Sequence, residues 1–320
     1  MKGLKLNIEI IKIYDEHEKT EIWTPYATVP FDDGIVTLGI NGKYQLVWIT
    51  KNELKYIESD IKCYNYHYPA LVKFEQGFGI IDGGNTLYYY ESIDSLQKKI
   101  AIENHEIFST LKEVPRMHLR KTVGVQDKNH IIFTDSVLSQ NPKFIGELIF
   151  DIHQESIKWK RLLKFNCDDF PYDHSEKLKD SSLWPNPGST LIKDDRIFIF
   201  FEGSSSLNVD KHGMDYFSLV EIDEDGKIID RLYEISGLQK KSCKDGTYGS
   251  FSSSKDYLIL TPAFKSGEWK GKQKLFDLNT KNIIDVELPK SIKGFEIMDH
   301  FNNVFYLAEP TKKKIALCVV

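Results

Sequence analysis

Four acids recur at matching places along the chain. Asp82, Asp135, Glu202 and Glu309 each close a short apolar run, at GIID, IIFTD, FIFFE and VFYLAE. Carboxylates gathered on one rim can hold a cation or attract the lysines of a partner. They can also serve as the general acid and base flanking a glycosidic bond, at about 5 to 5.5 Å for retention or 6.5 to 9.5 Å for inversion. The same positions suit Asx-type turns, since Gly follows Asp82 and Ser follows Asp135. A second set mixes aromatic and polar groups between the apolar runs: His67, Tyr68, Arg116, His118, Trp184, Asn186, His212, Tyr248 and Trp269. Tyr, Trp and Arg combine large buried area with a polar handle, which is the chemistry of a binding hot spot. Aromatics ahead of a strand can equally plug gaps between sheets.

Other chemistries lack their residues. The nine histidines are dispersed, with no H-E-x-x-H, and no G-x-S-x-G elbow or phosphate-cradling Gly-rich loop is present. Asp168, Asp169, Asp173 and His174 are close in sequence but lack the D-x-D-x-D-G order of a calcium loop. Cys63, Cys167, Cys243 and Cys318 are far apart, with no zinc spacing, and read as structural thiols. No metal or cofactor is expected. The net charge is -5, and the 42 basic residues include only five arginines, scattered among acids, which disfavours nucleic acid. Charges interrupt MKGLKLNIEIIKIYDE every two or three residues, so neither a signal segment nor a spanning helix is read there and a cytoplasmic protein is expected.

The elements that must position these residues come from a repeat. A β-rich stretch, a tight polar turn and a short apolar strand recur as TLGINGKYQLVWIT, LVKFEQGFGIID, KTVGVQDKNHIIFTD, TLIKDDRIFIFFEG, SFSSSKDYLILTP and EIMDHFNNVFYLAEP. Each reads as a hairpin, turning at Asn41-Gly42, Gln76-Gly77, Asp127-Lys128, Asp194-Asp195, Ser254-Lys255 and Asn302-Asn303. FDIHQESIKW, VEIDEDGKII and FDLNTKNIID supply a second, outer hairpin. The spacing, about 50 residues, is that of four-stranded propeller blades.

The sequence thereby resembles the six-bladed β-propeller superfamily. The resemblance implies an all-β fold of four-stranded antiparallel blades in a single domain over 1–320, with blades beginning near 34, 69, 118, 188, 247 and 293. Too little chain follows VFYLAE for a complete last blade, so residues 1–14, through LNIEIIKIYD, are expected to close it. Five blades plus an irregular sheet is the competing arrangement, and 95–114 could hold a short amphipathic helix.

Blade geometry sends the long segments 136–146, 166–187, 204–215, 237–247 and 263–272 to one face, where binding concentrates. The expected function is a non-catalytic propeller that docks a protein partner, a basic one suiting the negative charge. Immunity proteins of bacterial type, which cover a toxin's active surface, fit this profile. The enzymatic alternative rests on SLWPNPGSTLIKDDRIFIFFEG, which resembles blades of five-bladed furanosidase and glycosyl hydrolase families. That resemblance implies a sugar ligand, Glu202 as acid with Asp135 or Asp82 opposite, and Asp32 or Asp33 in place of the early Asp of those families.

Overall fold

The computed structural model describes residues 4–15, 21–22, 28–40, 44–59, 61, 70–81, 86–101, 117–119, 122–123, 130–135, 143–165, 186–193, 196–203, 216–223, 225–235, 247–262, 273–309 and 314–320. In chain order the strands are β1 (Leu4–Asn7), β2 (Glu9–Tyr14), β3 (Glu21–Ile22), β4 (Thr28–Phe31), β5 (Gly34–Ile40), β6 (Tyr44–Ile49) and β7 (Leu54–Glu58). They continue as β8 (Ala70–Lys73), β9 (Phe78–Ile81), β10 (Thr86–Ser92), β11 (Ser95–Ala101), β12 (Met117–Leu119), β13 (Thr122–Val123), β14 (His130–Asp135), β15 (Lys143–Asp151) and β16 (Ser156–Phe165). The rest are β17 (Asn186–Lys193), β18 (Arg196–Gly203), β19 (Tyr216–Ile222), β20 (Ile228–Ile235), β21 (Thr247–Phe251), β22 (Tyr257–Pro262), β23 (Gln273–Asp277), β24 (Asn282–Glu287), β25 (Glu296–Phe301), β26 (Val304–Glu309) and β27 (Lys314–Val319). Residues 95–101 are therefore a strand and not the start of a helix.

Tight turns and apolar second strands drive the pattern. Asn302 and Asn303 both take positive φ, 49° and 59°, the mirror-image geometry that matches strand twist in a two-residue hairpin. Gly77 turns β8 into β9 at φ 75°, where a Cβ would lie 1.9 Å from the Tyr90 carbonyl oxygen. The strands that follow, β9 and β26, are almost wholly buried because sheets cover both of their faces.

The strands form five hydrogen-bonded sheets, not six separate blades. The difference lies at β13. β12 pairs with β14 in its own sheet, but β13 leaves it and pairs parallel with both β8 and β17. The meanders β8–β11 and β17–β20 thus join into one nine-stranded sheet. A second departure concerns the first repeat. Its innermost strand is β4, turning through Asp32 and Asp33 into β5, so 41–43 connects β5 to β6 one strand further out than the expected inner hairpin.

Successive sheets pack face to face. Phe31 and Leu38 meet Leu71 and Phe78, and the Phe74 ring lies 5.2 Å from that of Phe150. Phe200 and Leu219 meet Phe251 and Phe276, while Ile259 and Leu275 meet Ile297 and Phe305. Met298 and Tyr306 return to Ile35 and Val47, closing the circuit. Inner strands touch in the same order, β4 lying against both β8 and β25. The fold is an all-β propeller of small four-stranded antiparallel blades.

The first two strands fasten the circuit. β2 pairs antiparallel with β27, Glu9 opposite Val319 and Tyr14 opposite Ile315. The segment read as one strand is broken at buried Ile8, and β1 crosses to the preceding sheet to pair parallel with β24. No helix among the described residues is long and apolar enough to cross a membrane.

Candidate functional site

An antiparallel meander sends successive connections to alternating ends. At one end of the propeller the connections are tight: Asp32-Asp33, 74–77, 252–256 and Asn302-Asn303 between inner strands, and 50–53, 93–94, 152–155, 223–227 and 278–281 between outer ones. At the other end β11, β14, β16, β18, β20 and β22 finish and β12, β15, β17, β19, β21 and β23 begin, and the residues between them, 102–116, 136–142, 166–185, 204–215, 236–246 and 263–272, lie outside the described residues.

The tight-turn end is largely taken up by bonds between sheets. Lys55 pairs with Asp94. Lys98 Nζ donates to Glu155 Oε1 at 2.7 Å and to the Ile152 carbonyl at 3.1 Å. Lys193 Nζ donates to Asn279 Oδ1 at 3.3 Å, and the Tyr14 hydroxyl donates to the Thr50 carbonyl at 3.0 Å. The densest tie was not foreseen from sequence. The Ser253 N–H and hydroxyl donate to Asp299 Oδ1 and Oδ2 at 2.7 and 2.6 Å, and the His300 N–H donates to Oδ1 at 2.8 Å. Ser254 Oγ lies 2.8 Å from His300 Nδ1, and the Ser254 N–H donates to the His300 carbonyl. Burial holds the His300 imidazole below its ordinary pKa, against the pull of Asp299 and Asp256. A Ser beside a neutral His has the makings of an activated hydroxyl. Here, however, Asp299 accepts from the His300 backbone and from Ser253, so these bonds orient the turn. The group ties β25 to the β21–β22 hairpin.

The residues singled out in the sequence fall on the opposite end or outside the described residues. Asn186 opens β17 directly opposite Glu202 on β18. His118 faces Thr134 and Met117 faces Asp135 across β12 and β14, and Tyr248 faces Thr261 across β21 and β22. Glu309 ends β26 opposite Lys314. Backbone pairing thus brings Asn186 and Glu202 together, and sets Asp135, Glu202 and Glu309 at equivalent ends of their strands. His67, Tyr68, Asp82, Arg116, Trp184, His212 and Trp269 lie outside the described residues, as do Asp168, Asp169, Asp173 and His174.

One expectation is corrected. Asp32 and Asp33 occupy the turn between β4 and β5, at the opposite end from Glu202, and so do not take the place of the early Asp of the furanosidase and glycosyl hydrolase blades. The turn accounts for both, Asp32 taking φ 50°. One acid at the loop-bearing end was missed. Glu296 opens β25 opposite Ala308, and burial raises its carboxyl above the ordinary range. An acid heading the inner strand EIMDHF was the available signal. Among the described residues no three His, Cys, Asp or Glu groups converge as metal ligands. Cys318 is buried, and its thiol is pushed up to about 11, leaving little reactive thiolate.

No family model and no curated protein matches the chain. Solved structures are similar at low identity. A putative glycoside hydrolase from Parabacteroides distasonis is 11% identical over 94% of this chain and 87% of its own, with a TM-score of 0.46. The N-terminal domain of Nup159 is 12% identical over 91% and 74%, at 0.43. The C-terminal WD40 domain of Sif2 is 9% identical over 99% of each chain, at 0.42. At these values none carries a functional assignment.

Proposed function

We propose that residues 1–320 act as one propeller unit in the cytoplasm and dock a protein partner through the end bearing the long connections, over 136–146, 166–187, 204–215, 237–247 and 263–272. The observation that supports this reading is the asymmetry of the two ends. One is committed to bonds between sheets, whereas the other receives the long segments, where a rigid scaffold presents binding groups. Trp184 and Trp269 are the anchors, with His67, Tyr68, Arg116, His118, Asn186, His212 and Tyr248 around them. The net charge of -5 favours a basic partner through steering, and a toxin neutralised by an immunity-type protein is the concrete case.

The test is capture from lysate of the native host with wild type and with Trp184→Ala/Trp269→Ala as baits. A stoichiometric partner lost from the variant, with thermal unfolding unchanged, supports the reading. A partner retained by the variant overturns the assignment of these anchors. The glycoside-cleaving alternative retains Glu202 with Asp135 or Asp82 and loses Asp32 and Asp33. It predicts turnover of an aryl glycoside that Glu202→Gln abolishes.

A further inference from the structure

We infer that the outer edge of β24 is a strand-addition site, occupied in this chain by β1 and open to an extended segment of a partner protein that repeats β1's pattern of a cation between two apolar residues. This inference goes beyond the docking proposed for the loop-bearing end and does not depend on it.

The geometry separates β1 from the closing strand. β2 contributes five residues paired antiparallel to β27, and its Tyr14 reaches the Thr50 carbonyl in another sheet. Ile8, only 4% exposed, is sunk among Ile259, Leu275 and Val286 and anchors the crossing. Beyond that anchor β1 buries little. Leu4 is 54% exposed, Lys5 and Asn7 are exposed, and only Leu6 packs partly against the core. What holds β1 is the parallel ladder to β24, with Leu4 opposite Ile284, Lys5 opposite Asp285, Leu6 opposite Val286 and Asn7 opposite Glu287, plus the ion pair of Lys5 with Glu287. A short parallel ladder with one exposed ion pair is a weak attachment.

With β1 lifted and Ile8 still seated, the outer side of β24 presents unpaired backbone N–H and C=O groups, the template for an added strand. β1 itself shows which segment fits. Glu287 pairs with Lys5, Asp285, which also pairs with the buried Lys274, adds a second carboxylate beside it, and Val286 lies opposite Leu6. The recognised segment is therefore extended, parallel to β24, apolar at the Leu4 and Leu6 positions and cationic between them. β1 then acts as an internal competitor that a longer or more basic partner strand displaces.

The probe is a fluorescein-labelled peptide of sequence KGLKLN, positions 2–7, read by anisotropy against the full chain and a chain lacking residues 1–7. The shortened chain is expected to bind the probe at least about ten-fold more tightly than the full chain, where the tethered strand competes at high effective concentration. The probe with Lys5→Glu is expected to bind several-fold more weakly. A shortened chain that folds and binds neither probe, or binds both equally, overturns the inference. Lys5→Glu in the full chain covers the case in which the shortened chain fails to fold. That variant is expected to admit the unmodified probe where wild type excludes it. A folded Lys5→Glu chain that still excludes it also overturns the inference.

Discussion

Gly249 on β21 faces the Phe200 ring of a neighbouring sheet so closely that a Cβ would fall 2.2 Å from Cε1 and 2.4 Å from Cδ1. Phe200 is buried and stacked on Phe217, and cannot simply swing aside. Gly249→Ala is expected to cost about 1–3 kcal/mol of stability in denaturant unfolding, by overpacking. Phe200→Leu in the same chain should recover part of that loss, because the two side chains compete for one volume. His300 gives a pH dependence with a definite sign. Its folded pKa lies below the ordinary 6.5, so the unfolded chain takes up the proton first as pH falls. The contribution is fully present above about pH 6.5 and is lost as pH drops from there through the folded pKa. Unfolding midpoints measured from about pH 7.5 down to about pH 5 should fall less steeply for His300→Gln than for wild type. Equal slopes would remove His300 as the source.

At the scale of elements, the outermost strand β2 shows how an edge is protected. Its pairing to β27 steps from Ile10 opposite Cys318 to Lys12 opposite Leu317, leaving Ile11 in a bulge and 44% exposed. A bulge beside a lysine discourages another strand from adding there. Ile8→Ala should therefore cost about 2–4 kcal/mol, through a cavity among Ile259, Leu275 and Val286. Ile11→Ala should stay within about 0.5 kcal/mol, and thermal unfolding of the pair checks the contrast.

The same elements show what the sequence could and could not reveal. Gly77, Lys255 and Asn302-Asn303 were legible as turns because their backbone needs are local. The inner strand TVPF was not, because Pro30 argues against a strand and Asn41-Gly42 offers the stronger hairpin signal, although VPFDDG parallels VKFEQG. The parallel pairings of β13 and β1 depend on neighbours distant in sequence and leave no local trace.

At the scale of the whole molecule, the two ends of the propeller differ in what they carry. Equivalent placement of Asp135, Glu202 and Glu309 was readable from the repeat. The Asp299 tie was not, since Ser253 and Asp299 lie 46 residues apart. The most direct test captures partners from host lysate with three baits in parallel: wild type, Trp184→Ala/Trp269→Ala, and Asp94→Ala/Glu155→Ala at the tight-turn end. Among the described residues the two acids at that end pair with Lys55 and Lys98 near the surface, so their loss leaves the fold nearly as stable. The account predicts one stoichiometric partner on wild type and on the Asp94/Glu155 variant, and none on the Trp variant. Capture that survives on the Trp variant and disappears from the Asp94/Glu155 variant would place the working surface at the wrong end and contradict it.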